Sequence, residues 1–141
     1  ASFLIRICIS HQGFENFNVE TKYNGILVFG LIPDLNWSQI TRLLNKIPSL
    51  CDSGSLVWIT GFTSIDPALE SYQNSPEWQE VSTNSFRNST GRFRTYLSPN
   101  QILELFKNYQ VLYHREYFGS WHSHANAVPE QHHSFEAIFR S

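Results

Sequence analysis

Residues 23–37 read YNGILVFGLIPDLNW. An almost unbroken apolar run reaches Gly30, a proline and an acid follow, and Trp37 opens a segment of helical period. This is the pattern of a strand in an open α/β sheet that empties onto the sheet's binding edge, since ligands of such sheets sit beyond the carboxyl ends of the strands. The strand is expected over 23–32. Its apolar residues are consecutive rather than alternating, as in strands covered on both faces.

Working outward, NWSQITRLLNKI (36–47) sets Trp37, Ile40, Leu43, Leu44 and Ile47 on one helix face. Asn36 is the expected N-cap and Pro48 the stop. SGSLVWITGF (53–62) reads as a second buried strand, entered through a turn at 52–55. Upstream, FLIRICI (3–9) reads as a strand and HQGFENFNVETK (11–22) as a polar loop. Residues 63–93 are rich in Ser, Asn and Thr and predict a long polar excursion with at most short helices, a length usually kept for function. SPNQILELFKNY (98–109) predicts a helix capped by Ser98 with Pro99 in its first turn. QVLYHREYFG (110–119) and SFEAIFRS (134–141) predict two strands joined by the loop SWHSHANAVPEQHH (120–133). The alternation of strands and helices predicts one α/β domain over 1–141, its sheet mostly parallel and closed by a C-terminal antiparallel hairpin.

Charged residues make up 16% of the chain and aromatic residues 15%. So many rings among so few charges predict self-association, a homodimer in the simplest case. The net charge is −2, and Arg87, Arg92, Arg94 and Arg115 are scattered, so no nucleic-acid partner is expected. Cys8 and Cys51 lie far apart and read as small buried hydrophobes of a reduced compartment. No apolar run of about 18 residues occurs. The N-terminal stretch also lacks a basic region and a cleavage site, so no membrane association and a cytoplasmic location are expected.

Several segments together resemble the C-terminal half of a class I S-adenosylmethionine-dependent methyltransferase. KYNGILVFGLIPDL resembles the family's fourth strand, with Asn24 where an Asp is common. WSQITRLLNKI resembles the helix that follows it. CDSGSLVWITGF resembles the next turn and strand, with Ser53-Gly54 in place of two glycines. RFRTYLSPNQILELFKNYQVLYHRE resembles a later segment, and YFGSWHSHANAVPEQHHSFEAIFRS the histidine-bearing endings of a bacterial subgroup. The resemblance covers about residues 3–141. It implies a truncated Rossmann-like sheet holding the last strands of the order 3-2-1-4-5-7-6, a small-molecule substrate, and S-adenosylmethionine as a possible cofactor.

The family's first strand ends in a G-x-G-x-G-like loop, and its second in an acid that holds the ribose. Neither has a counterpart here: of seven glycines, no two are one residue apart. The resemblance thus implies a protein not self-sufficient for its cofactor. The open flank of the 23–32 strand would be covered by the chain's own strand at 1–9, by a second copy or by a chain supplying the missing N-terminal half. Two alternatives stand beside this reading. One is a cofactor-independent cyclase, isomerase or lyase on a remodelled scaffold, the other a non-catalytic partner subunit.

For the cofactor, the resemblance points to Glu15 and Asn16 near the adenine and to Phe29 and Gly30 at the strand's end. For the substrate, the carboxyl ends of the two buried strands point to Ile32, Asp34, Phe62 and Thr63. Trp78, a ring in the polar excursion, would cap an apolar substrate. Arg94 reads equally as a substrate anchor or a surface ion-pair residue. His122, His124 and His132 are the candidates for general acid–base catalysis, because imidazole titrates near neutrality. His122-x-His124 followed by Glu130, His132 and His133 could also build a metal site. Histidines packed into a polar connection are the preferred reading, and no metal is expected.

Overall fold

The computed structural model describes residues 12–17, 22–123 and 127–141. The expected strand at 3–9 and Cys8 lie outside these residues. The main sheet contains β1 (Tyr23–Val28), β2 (Cys51–Phe62), β6 (Gln110–Phe118) and β7 (His133–Arg140), in the order β1-β2-β7-β6. This is the arrangement that the resemblance implies for strands 4-5-7-6. β1 pairs in parallel with β2, whereas β7 lies between β2 and β6 and runs against both. The sheet is therefore mixed rather than mostly parallel, because the C-terminal hairpin inserts its second strand into the centre. β1, β2 and β6 still share one direction, so their carboxyl ends share one edge.

The core forms where alternate residues of β2 and β7 meet the helices. Val57, Ile59 and Gly61 stand beside Phe139, Ala137 and Phe135. Ile40, Leu43 and Ile47 of α1 (Trp37–Leu50) cover them, with Ile102 of α3 (Gln101–Leu105) and Phe106, whose ring stacks on Phe139 at 4.3 Å. The sequence run of β1 misleads here. The strand ends at Val28, and Leu27 (65% exposed), Phe29, Leu56 and Trp58 are exposed on the face that the helices do not cover. Among the described residues only one face of this sheet is packed.

Asn36 caps α1 as expected, in a reciprocal capping box with Gln39. Pro48 does not stop the helix, which continues to Leu50. Its missing amide and its ring together remove the bond to the Leu44 carbonyl, which loosens only the last turn. α3 is shorter than its pattern suggests, because Asn100 takes a left-handed conformation (φ 60°) and the helix starts only at Gln101. The polar excursion holds more order than its composition implies. It contains α2 (Ala68–Asn74) and an antiparallel sheet of β3 (Trp78–Ser82), β4 (Ser85–Asn88) and β5 (Phe93–Thr95). Left-handed Asn84 and Gly91 (φ 56° and 83°) make its turns. Its buried hydroxyls satisfy one another, Ser85 Oγ to Thr95 Oγ1 at 2.7 Å. Thr95 Oγ1 then donates to the Leu35 carbonyl, which ties this small sheet to the segment leaving β1.

A β-carbon at Gly61 would lie 2.6 Å from Cε1 of Phe135, a ring with no room to retreat. Gly61→Ala is expected to destabilise the fold by about 1–3 kcal/mol. Asn36→Ala, which removes the cap, is expected to cost about 1 kcal/mol. Urea unfolding at unchanged m-value checks both.

Candidate functional site

The carboxyl edge of the sheet opens into a cavity of about 660 Å³. Phe62, the last residue of β2, forms its floor. α2 contributes Tyr72, the small sheet contributes Trp78 and Arg94, and Tyr96 follows β5. The connection between β6 and β7 adds His122, Glu130 and His132. The walls are largely rings in contact: Trp78 meets Tyr72 edge-on at 4.9 Å, and Phe62 stacks on the His132 imidazole at 4.7 Å. The Arg94 guanidinium lies about 6 Å from the Phe62 and Tyr72 rings, at cation–π range. It faces Asp34 at only 3.8 Å, and its buried Nε has no hydrogen-bond partner among the described residues.

Asp66 organises the other charged wall. Its side chain is fully buried in the turn after β2. Oδ1 accepts from the Ala68 amide at the start of α2, and Oδ2 accepts from the His133 amide and from His132 Nδ1 at 2.9 Å. A carboxylate accepts only, so the His132 proton sits on Nδ1 and its Nε2 turns to Glu130 Oε1 at 3.7 Å. His122 and Glu130 exchange backbone hydrogen bonds as an isolated bridge, which sets His122 Nε2 3.6 Å from the same carboxylate oxygen.

Of the residues singled out from sequence, Phe62, Trp78, Arg94, His122 and His132 meet at this cavity. His124 lies outside the described residues. Ile32 and Thr63 do not reach it: at 1% and 0% exposure they are core, Ile32 beneath Gly61 and Thr63 bonded to His133 Nδ1. Asp34 stands outside as the partner of Arg94. The four cofactor candidates are not gathered. Glu15 and Asn16 form a short turn against α1, where Lys46 Nζ donates to the Glu15 carbonyl, and Glu15 lines a separate cavity of about 490 Å³. Phe29 packs edge-on against Trp58 on the face away from α1. Gly30 (φ 64°) donates its amide to Thr60 Oγ1. Asp66, Tyr72 and Tyr96 have no signal in the sequence, since Asp66 meets His132 and Tyr96 meets Phe62 only through the fold, and Tyr72 is set by the packing of the excursion.

Burial raises the Tyr96 hydroxyl pKa far above its usual range, with the Asp66 carboxylate adding to the shift. The unfolded phenol ionises near pH 10. Above that pH the unfolded state releases a proton that the folded state keeps, so the contribution is complete below about pH 10 and declines as pH rises. Each such group contributes up to about 1.4 kcal/mol per pH unit. Burial also raises Tyr109 and Cys51, which act in the same direction. Tyr96→Phe is expected to flatten the loss of stability between about pH 10 and 11.5 in chemical denaturation.

No protein-family model and no curated protein matches the chain. Among solved structures it is similar to TehB from Haemophilus influenzae (TM-score 0.60, 15% identity, covering 88% of this chain and 37% of that one). It is similar to the 1,6-didemethyltoxoflavin-N1-methyltransferase of Burkholderia thailandensis, solved with 1,6-didemethyltoxoflavin and S-adenosylhomocysteine (0.57, 12%, 89% and 47%). It is also similar to a SAM-dependent methyltransferase from Methanosarcina mazei (0.62, 8%, 88% and 63%). The chain spans between 37% and 63% of the length of these proteins. Among the described residues no helix is long and apolar enough to cross a membrane. The fold is methyltransferase-like, of class I, and it matches part of each of these larger chains.

Proposed function

We propose that the chain carries the acceptor-substrate half of an S-adenosylmethionine-dependent methyltransferase-like protein acting on a small molecule. The observation that carries this reading is the aromatic-walled cavity at the carboxyl edge of the sheet, with the cation Arg94 in its lining. Rings on several sides suit a planar molecule, and the Arg94 guanidinium suits a carboxylate or another anionic acceptor on it.

The described residues do not fit the methyl donor by themselves. Glu15 and Asn16 pack against α1 while Phe29 lies on the opposite face of the sheet, and the sequence offers no closely spaced glycines to approach the cofactor. The cofactor contacts are therefore assigned to other polypeptide, a second copy of the chain or a chain carrying the N-terminal half. The uncovered apolar face with Leu27, Phe29, Leu56 and Trp58, beside the edge strand β1, supports this assignment. A cofactor-independent enzyme on the same scaffold is the second reading, favoured by one fact: the cavity of about 660 Å³ gathers Arg94, His122, Glu130 and His132 among aromatic rings.

Titration calorimetry with S-adenosylhomocysteine, with the mass in solution measured alongside, tests the assignment. The monomer is expected to give no binding at millimolar cofactor, and a dimer or a reconstituted mixture is expected to bind it. Tight binding by the monomer would sink the idea that other polypeptide is needed. Failure to bind in every assembly state would favour the cofactor-independent reading. For the cavity itself, Trp78 fluorescence titrated with benzoate is expected to report binding that Arg94→Ala weakens about 10- to 100-fold, the loss of one hydrogen bond to a charged group.

A further inference from the structure

Two histidines and a glutamate meet in the cavity wall with acceptor atoms turned toward one another. Nε2 of His122 and Nε2 of His132 lie 3.6 and 3.7 Å from Glu130 Oε1, and the three atoms fall within 4.8 Å of one another. The tautomers decide what this arrangement can hold. The bond to Asp66 Oδ2 places the His132 proton on Nδ1. The 3.2 Å contact between His122 Nδ1 and the Ser120 carbonyl, which also accepts only, does the same at His122. The Nε2 atoms of both rings thus lie on the side of the Glu130 carboxylate, and three potential ligand atoms border one space.

With bonds of about 2.0–2.2 Å to imidazole and carboxylate, two ligands of a tetrahedral zinc ion stand roughly 3.4 Å apart, close to the two distances from Glu130 Oε1. We propose that His122, Glu130 and His132 bind one first-row divalent cation, of which Zn²⁺ is the type, with its open coordination position toward the cavity. Two imidazoles with one carboxylate favour such metals over Mg²⁺ and Ca²⁺, which take oxygen ligands. Three protein ligands leave a position for a small molecule, as in reactive rather than closed structural sites.

The surroundings are built as a metal site requires. Asp66 behind His132 is the carboxylate–histidine–metal arrangement that fixes a ligand's tautomer and ring plane. Asp66 is itself immobilised by the Ala68 and His133 amides. The backbone bridge holds His122 across from Glu130. A general base would need one Nε2 aimed at a substrate proton. Here both Nε2 atoms lie beside one carboxylate oxygen, the arrangement that ligation of a shared ion requires. The cation would take an anionic oxygen or nitrogen of the molecule in the cavity. This site stands independently of whether a methyl group is transferred.

The chelator-treated chain, titrated with ZnCl₂ by calorimetry and with Co²⁺ by visible absorption, tests the proposal. One equivalent per chain is expected, with the d–d bands of a low-coordinate Co²⁺ ion. His132→Ala and Glu130→Gln are each expected to weaken binding by about 100-fold or more, and Asp66→Asn, a positioning change, by about 10- to 100-fold. Glu130 is partly exposed, so Glu130→Gln should fold even where His132→Ala does not. His114→Gln, a histidine of β6 beside Glu116, should leave binding unchanged. No binding at millimolar Zn²⁺, or stoichiometric binding that survives both Glu130→Gln and His132→Ala, would overturn the proposal.

Discussion

A single buried carboxylate holds the functional edge together. Asp66 follows β2, while His132 precedes and His133 begins β7, and the three meet only because β7 docks beside β2. An ionised carboxylate without partners is costly to bury. Asp66 avoids that cost by accepting hydrogen bonds from two backbone amides and one imidazole. Each hydrogen bond to a charged group contributes about 1.5–3 kcal/mol. The same three bonds start α2, anchor the amino end of β7 and set the tautomer of His132. Three parts of the cavity wall thus share one fixed point.

The sheet presents two unlike faces. On one, β2 and β7 place Val57, Ile59, Ala137 and Phe139 under α1 and α3, and packing there is complete. On the other, Leu27, Phe29, Leu56 and Trp58 remain exposed. Trp58 is partly accommodated, its indole donating to Glu136, which also pairs with Arg115 at 2.7 Å. That polar belt interrupts the apolar surface, and β6 beyond it exposes Val111, Tyr113 and Phe118 as well.

The elements legible in the sequence are those whose stability is local. α1 could be read because its cap, its period and its first turn lie within a dozen residues. β2, β6 and β7 could be read because apolar runs bounded by turn residues have few alternatives. The small β3–β5 sheet could not: its strands are short and polar, and its interior rests on Phe86 and on the Ser85–Thr95 hydroxyl pair, formed only after the strands meet. The site divides the same way. Phe62, Trp78, Arg94, His122 and His132 stood out by residue type and by position at strand ends or in the excursion. Ile32 and Thr63 shared those positions but point inward, since a one-residue change along a strand or turn exchanges cavity for core. Asp66, Tyr72 and Tyr96 depend on contacts between distant elements, and nothing in their neighbourhood announces them.

The electrostatics of the cavity follow from what its charged groups face. Arg94 and His132 both contact the Phe62 ring, so a guanidinium and the histidine–glutamate cluster border the same floor. Without a cation the cluster offers Glu130, backed by the buried charge of Asp66, and that wall repels anions. With a divalent ion held by His122, Glu130 and His132 the wall changes sign, and the cavity then carries two positive points against aromatic surfaces. Only in the second state do both ends favour one kind of ligand, a planar molecule with anionic or deprotonated donors. In a poorly solvated site such charges act strongly. The cation would therefore govern which molecule the cavity admits before any chemistry begins.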